Sequence, residues 1–111
     1  MSDNDAARPA VSLARDGAVA ILTIDNPPVN ALSAAVRGGL LDGIRRAEAD
    51  PAVAATVIVC AGRTFVAGAD IREFGRPPID PPLPEVLAAI EDATKPVVAA
   101  LHGTALAGGF E

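Results

Sequence analysis

The last residues of the chain combine a glycine pair with a carboxylate. Gly108 and Gly109 follow the apolar run 97–101, and Glu111 lies three residues beyond Gly108. Such a run is typical of a buried strand, and glycines after a strand let a backbone approach a ligand closely. A helix starting at the glycine pair would offer unpaired N–H groups to an oxygen anion and would place Glu111 on the same face. The segment could therefore supply both an oxyanion donor and an acid or base.

A second glycine-containing segment, 61–74, follows another apolar run, 55–60. Adjacent parallel strands deliver the loops at their carboxyl ends to one edge of a sheet, where open α/β sheets bind ligands. The backbone N–H groups of Ala69 and Gly108 could then converge on one oxygen. An alternative stays open, in which both segments are only turns between strands and helices and Asp70 is a helix N-cap.

Hydrophobic spacing and turn residues predict the elements that would position these segments. Asp16-Gly17 between the apolar runs 11–14 and 19–24 predicts a β-hairpin. Apolar residues recur with a helical period over 33–49, where Ser33 is placed to cap the helix. Three glycines in this helix weaken it by about 1 kcal/mol each relative to alanine. The remaining predicted elements are a strand at 55–60, a proline-rich loop at 76–82, a helix that Pro84 opens and that runs through Ala93, and a strand at 97–101.

Composition narrows the function classes. The net charge is −5, and the aromatic residues are three Phe, with no Tyr or Trp. A nucleic-acid-binding surface needs clustered Lys or Arg and aromatic rings for stacking, so we expect no nucleic-acid partner. Residues 1–5 are polar and acidic, unlike the start of a signal peptide, and no apolar run is long enough to span a bilayer. We therefore expect a cytoplasmic protein that has no membrane partner. The single cysteine, Cys60, cannot form an internal disulfide and is expected to be a small buried hydrophobe.

Several chemical sites can be excluded from the residue types. Gly109 stands where a phosphate-binding loop beginning at Gly103 would need lysine, which argues against a nucleotide triphosphatase. His102 is the only histidine and has no cysteine partner nearby, so we expect it to be structural, and we expect no metal site.

Four motifs, in order, carry a resemblance to a known family. They are Asn-Pro-Pro-Val-Asn-Ala-Leu at 26–32, Phe-Val-Ala-Gly-Ala-Asp-Ile at 65–71, Lys-Pro-Val-Val-Ala-Ala at 95–100 and His-Gly-Thr-Ala-Leu-Ala-Gly-Gly-Phe-Glu at 102–111. This series resembles the crotonase superfamily of enoyl-CoA hydratases and isomerases. The sequence of these motifs is most similar to that of the hydratase portion of bifunctional enoyl-CoA hydratase/3-hydroxyacyl-CoA dehydrogenases. The resemblance implies an α/β fold, a spiral of ββα units, with residues 1–10 as a disordered tail and 11–111 as the first half of the domain.

The resemblance also implies roles for individual residues. The thioester carbonyl of a coenzyme A substrate would accept hydrogen bonds from the amides of Ala69 and Gly108, and Glu111 would be the first of two glutamates that activate water. Substrate-binding positions would be Ala67, Gly68, Ala69, Asp70, Ile71, Arg72 and Gly108. The implied reaction is hydration of 2-enoyl-CoA to 3-hydroxyacyl-CoA in fatty acid β-oxidation, with no metal and no cofactor besides the coenzyme A of the substrate. Ala107 departs from the glycine triplet of the family but leaves Gly108 in place.

Some alternatives remain. Arg63 and Arg72 could meet the phosphates of coenzyme A, or they could simply be solvated. The second glutamate of the family has no counterpart in these 111 residues, so the isolated chain is not expected to be a competent hydratase. It could instead be an inactive fragment that retains partial coenzyme A binding or an assembly role, and isomerisation of the double bond is a further alternative. The resemblance implies a homo-oligomer for the intact protein.

Overall fold

A computed structural model describes residues 9–105, 109 and 111. The elements are β1 Val11–Asp16, β2 Val19–Ile24, α1 Ala34–Ala49, β3 Ala55–Cys60, β4 Thr64–Val66, a 3-10 helix Ile71–Glu73, α2 Leu83–Glu91, β5 Val97–Ala99 and β6 Thr104–Ala105. The strands of the main sheet lie in the order β1-β2-β3-β5, and a second sheet pairs β4 with β6.

The predicted hairpin is confirmed. Strands β1 and β2 are antiparallel, with Val11 opposite Ile24 and Asp16 opposite Val19, so β1 continues two residues beyond the apolar run. Gly17 makes the turn with a φ of 59°, a conformation that glycine adopts without steric cost. The backbone N–H of Asp25 donates to the carbonyl of Ala10 at 2.8 Å, which extends the pairing to the edge of the predicted tail. Most of that tail lies outside the described residues, and its boundary stays a prediction.

Helix α1 packs its apolar face on the hairpin. The Ser33 hydroxyl accepts a hydrogen bond from the N–H of Val36 at 3.3 Å, which confirms the predicted cap. A Cβ atom added at Gly43 would overlap the side chain of Leu22, so this glycine lets the helix lie close to β2. The buried side chains of the helix face are Val36, Leu40, Leu41, Ile44 and Ala47, with Arg37 among them.

The chain winds as a spiral. Strand β3 lies parallel to β2, with Ala55 beside Val19, and β5 lies parallel to β3, with Val97 beside Thr56. Strand β6 in turn lies parallel to β4 in the second sheet. The strand pair β5 and β6 therefore repeats the pair β3 and β4, one strand in each sheet, and the predicted spiral of ββα units is confirmed.

Two predicted elements need correction. The strand predicted at 97–101 ends at Ala99, and Val98 and Leu101 are 53% and 60% exposed, so the prediction of a buried strand over this run is wrong. Strand β5 is the edge strand of the described sheet, and β3 is its neighbour there. Helix α2 has Pro84 in its first turn as predicted but ends at Glu91, before Ala93. In the described part of the chain, no helix has the length and apolar character needed to cross a membrane.

Candidate active site

The segments that follow β3 and β5 lie at the same edge of the sheet, as the sequence predicted. The two strands are adjacent and parallel, so both segments leave from their carboxyl ends. His102, three residues after β5, places its Nε2 atom 2.8 Å from the carbonyl oxygen of Gly62, two residues after β3. A ring N–H that donates to this carbonyl ties the two segments together, which supports the structural role expected for His102.

Gly109 brings the two glycine segments into direct contact. A Cβ atom at this position would overlap the carbonyl oxygen of Val66, the last residue of β4. Only glycine therefore allows the backbone at 109 to lie so close to the strand that leads into Ala67. Gly108 lies outside the described residues, so the direction of its N–H stays a prediction.

The Gly68–Ala69 peptide is held in a defined orientation. The N–H of Leu32 donates to the carbonyl oxygen of Gly68 at 2.8 Å, in an isolated parallel bridge between Leu32 and Ala69. Gly68 has a φ of 130°, which an L-amino acid rarely adopts, so the glycine is required by the backbone. Ala69 is exposed, and within the described ranges no acceptor takes a hydrogen bond from its N–H. Among the described residues, no protein acceptor therefore competes with a ligand for this N–H.

Asp70 is a helix cap, as expected. Its Oδ1 atom accepts a hydrogen bond from the backbone N–H of Arg72 at 3.0 Å, at the start of the 3-10 helix Ile71–Glu73. The Arg72 guanidinium also binds the carboxylate, with Nη2 2.7 Å from Oδ2. These hydrogen bonds hold the pKa of Asp70 below its usual range and raise the pKa of Arg72. Asp70 is thus an ionised partner of Arg72 and is unsuited to donate a proton.

Most of the Arg72 side chain remains open to solvent. Its exposed fraction is 76%, while that of the Asp70 side chain is 5%. The carboxylate restrains one side of the guanidinium, and the remaining N–H groups are free to meet a phosphate. This geometry is compatible with the predicted contact between Arg72 and coenzyme A, which stays a prediction. Arg63 is also exposed, and its contact with coenzyme A likewise stays a prediction.

Glu111 lies at a largely apolar cavity of about 530 Å³. Glu91, at the end of α2, is the other carboxylate among its described lining residues. The apolar lining comes from both sheets and from α2, and includes Ile24, Ile58, Phe65, Val66, Val86 and Leu101. Glu111 itself is exposed, and a carboxylate at the margin of a cavity is a candidate for general acid–base work.

A separate cavity of about 380 Å³ lies beside Ala69 and is walled by the proline-rich loop. Its lining includes Arg37, Glu73, Phe74 and Ile79 as well as Ala69. Ala69 thus lies at the margin of a pocket that could receive part of a substrate.

The sequence did not reveal three polar residues near the site, namely Asn30 and Arg37, which are buried, and Glu73, which is partly buried. Asn30 is 3% exposed and has a φ of 53°, and its side chain binds the segment after β3. Arg37 and Glu73 form an ion pair with Nη1 and Oε1 2.9 Å apart. A signal was present for Arg37, because an arginine on the apolar face of a predicted helix is rarely buried without a partner.

Two other kinds of chemistry find no support here. Cys60 is buried, and burial raises the pKa of its thiol to about 12, so it stays neutral and inert, as expected for a small hydrophobe. Across residues 9–105, 109 and 111, no group of three or more histidine, cysteine, aspartate or glutamate side chains is arranged to hold a metal ion.

Comparison with known proteins agrees with this fold and with the motif order. Residues 14–111 match the family described as enoyl-CoA hydratase/isomerase. The chain is 55% identical over 93 residues to the peroxisomal bifunctional enzyme of Danio rerio. The alignment covers 84% of this chain and 13% of that protein. It is 43% identical over 109 residues to a probable enoyl-CoA hydratase of Bacillus subtilis (strain 168), covering 92% of this chain and 42% of the relative.

A solved structure shows the same similarity. The crystal structure of an enoyl-CoA hydratase from Mycobacterium tuberculosis H37Rv matches with a TM-score of 0.82 and 33% identity, over 93% of this chain and 42% of that one. The chain thus spans less than half the length of each of these relatives. With its spiral fold, its ordered motifs and a family match over 14–111, the chain belongs to the enoyl-CoA hydratase/isomerase family.

Proposed function

We propose that this chain provides the oxyanion-binding amides and one acid–base carboxylate for the hydration of a 2-enoyl-CoA to a 3-hydroxyacyl-CoA, a step of fatty acid β-oxidation. The observation that carries the proposal is the close packing of Gly109 on the Val66 carbonyl. It brings the residue next to Gly108 against the strand that leads into Ala69. The two proposed donors, the amides of Ala69 and Gly108, therefore belong to segments in contact.

The chemistry needs both kinds of group. When the water oxygen bonds to C3, the electrons of the double bond move onto the thioester oxygen, and an enolate forms. Amide N–H groups aimed at that oxygen stabilise its charge, and loss of one such donor typically lowers the rate by about 10²- to 10³-fold. Glu111 takes a proton from the attacking water, and a proton is returned to C2 as the enolate collapses. No metal or additional cofactor is needed for this addition.

The remaining assignments follow from the position of the amides. The coenzyme A portion of the substrate would run along Ala67, Gly68, Ala69, Asp70, Ile71 and Arg72, because these residues precede and follow the proposed donor. The N–H of Ala69 has no acceptor among residues 9–105, 109 and 111, which supports this path. The names of the relatives, an enoyl-CoA hydratase and a bifunctional enzyme, support an acyl-CoA partner. A homo-oligomer and a cytoplasmic location are part of the same proposal.

The experiment is hydration of crotonyl-CoA by the full-length protein, followed as loss of the absorbance of the conjugated thioester. Glu111→Gln should lower kcat by at least about 10²-fold, because an amide cannot act as a base. Glu85→Gln is the matched control, since Glu85 lies on α2 in an exposed ion pair with Arg45. The proposal fails if the wild-type protein hydrates no 2-enoyl-CoA of any chain length. A change confined to KM in Glu111→Gln would make Glu111 a binding residue instead.

A further inference from the structure

We propose that Arg37 is a positioning residue for the oxyanion-binding amide of Ala69. It acts through the backbone of Leu32, together with the carboxylate of Glu73. The inference rests on the proposed function of Ala69, and it gives Arg37 a role that acts through the backbone and not through contact with the substrate.

The first step is the geometry of a single peptide group. The carbonyl of Gly68 and the N–H of Ala69 belong to the same planar trans peptide, so they point in opposite directions. The N–H of Leu32 holds the carbonyl oxygen at 2.8 Å. Fixing the oxygen therefore aims the N–H. A carbonyl that accepts a hydrogen bond also polarises its peptide, which makes the N–H a stronger donor.

The second step is the support of Leu32 itself. Its carbonyl oxygen accepts a hydrogen bond from Nη1 of Arg37 at 2.7 Å. Leu32 is thus held by both of its backbone polar groups, one toward the Gly68–Ala69 peptide and the other toward the guanidinium. A displacement of the guanidinium would be passed to the peptide through a single residue.

The third step is the rigidity of Arg37. The residue is 9% exposed. Its Nε donates to the carbonyl of Pro81 at 2.7 Å, and its Nη2 donates to the carbonyl of Ile79 at 2.8 Å. Nη1 also lies 2.9 Å from Oε1 of Glu73. One planar fork therefore joins the start of α1, the proline-rich loop and the 3-10 helix.

Glu73 links Arg37 to the N-terminus of α1. Its Oε2 atom accepts a hydrogen bond from the backbone N–H of Ala34, the first residue of α1, at 2.8 Å. The same carboxylate thus binds the helix N-terminus and the Arg37 side chain. The side chains of Arg37 and Glu73 are 11% and 25% exposed, and an ion pair that is largely withdrawn from water adds little net stability compared with apolar residues of similar size. The role proposed for this pair is therefore geometric. Lysine has no fixed fork and cannot satisfy these acceptors together.

The test uses the full-length protein and the variants Arg37→Lys and Glu73→Gln. The matched control is Arg45→Lys, because Arg45 lies on the same helix in an exposed ion pair with Glu85. Two quantities are measured for each protein: kcat and KM for crotonyl-CoA, and the absorption of bound 4-dimethylaminocinnamoyl-CoA. The absorption of this probe moves to longer wavelength when hydrogen bonds polarise its thioester carbonyl, and the measurement requires no turnover. Thermal unfolding shows whether each variant is folded.

We expect Arg37→Lys to lower kcat by about 10-fold or more with little change in KM, since a misplacement of about 1 Å can cost as much as 10²-fold. The red shift of the bound probe should shrink in Arg37→Lys and, to a smaller extent, in Glu73→Gln, while Arg45→Lys keeps both wild-type values. Folded Arg37 and Glu73 variants with a wild-type red shift would overturn the inference, whatever their activity. If the wild-type protein binds the probe with a red shift but hydrates no enoyl-CoA, the proposed function is refuted. The red shifts of the Arg37 and Glu73 variants would still decide the inference about Arg37.

Discussion

The Nδ2 atom of Asn30 donates a hydrogen bond to the carbonyl oxygen of Ala61 at 2.8 Å, across 31 residues of sequence. The same atom donates to the carbonyl of Thr64 at 2.8 Å, and Oδ1 accepts from the N–H of Asn26 at 2.8 Å. One buried amide therefore joins the loop before α1 to the segment between β3 and β4. Asn30 also has a positive φ, which asparagine tolerates better than most residues.

Replacing Asn30 by alanine should lower the free energy of unfolding by about 2–5 kcal/mol, because two carbonyls lose their donor and alanine is strained at positive φ. Asn30→Gly removes the same hydrogen bonds without the strain and should be less destabilising. Urea titration of both variants, followed by circular dichroism, measures the two contributions. Equal stability of Asn30→Ala and the wild-type protein would mean that water replaces the amide at no cost.

The glycines of α1 should respond in opposite directions to alanine. Gly38→Ala should stabilise the protein by up to about 1 kcal/mol, because alanine is the better helix former, and its Cβ would lie 3.7 Å from Pro81 Cδ, an ordinary contact. Gly43→Ala should destabilise by about 1–3 kcal/mol, because the added Cβ overlaps Leu22. Thermal unfolding of the two variants gives the sign of each change. A stabilising Gly43→Ala would show that α1 can move away from β2 freely.

The Asp70 carboxylate should make the free energy of unfolding depend on pH under acid conditions. Because Arg72 lowers the pKa of Asp70 in the folded state, the ionised carboxylate stabilises the fold above its unfolded pKa of about 3.9. That contribution is lost as the pH falls through the lower folded-state pKa. Asp70→Asn should therefore be less stable than wild type at neutral pH, and the difference should shrink under acid conditions. Unfolding in urea at a series of pH values measures it.

Asp42→Asn is the control for this pH dependence. Asp42 is exposed and lies 3.6 Å from Arg46 on the same helix, a geometry that contributes little to stability. Its replacement should leave the acid-side profile close to that of wild type. A pH profile of Asp70→Asn that parallels wild type throughout would contradict the role assigned to the carboxylate.

Local signals accounted for the elements that the sequence predicted well. Asp16-Gly17 between apolar runs located the hairpin, and the spacing of Val36, Leu40 and Ile44 located α1. Strands β4 and β6 have three and two residues, too few for alternation to be recognised. The exposure of Val98 likewise depends on which strands flank β5, and hydropathy alone does not carry that information.

The site illustrates a different limit. Every residue except proline has a backbone N–H, so no property of its side chain marks Ala69 as a donor. Only its place in a glycine segment after a predicted strand, and a family motif, pointed to it. The hydrogen bond from Arg37 to Pro81 spans 44 residues, and such contacts arise only once the chain has folded. The roles of Ala69, Gly108 and Glu111 stay predictions.

Removing the N–H of Ala69 tests the oxyanion assignment directly. Ala69→Pro in the full-length protein deletes the proposed donor but leaves the Gly68 carbonyl, which accepts from Leu32, in the chain. We expect kcat for crotonyl-CoA hydration to fall by about 10²-fold or more. Affinity for coenzyme A, measured by calorimetry, should fall much less, because the donor acts mainly on charge that develops during the reaction.

Ala69→Gly is the companion variant, since it changes the side chain but keeps the N–H. Its loss of kcat should be much smaller than that of Ala69→Pro, and both should unfold in a single thermal transition like the wild-type protein. If Ala69→Pro hydrates crotonyl-CoA at the wild-type rate, the carbonyl oxygen is stabilised elsewhere. If the two variants lose kcat equally, the side chain or the local backbone flexibility matters, and the N–H of Ala69 is not the donor.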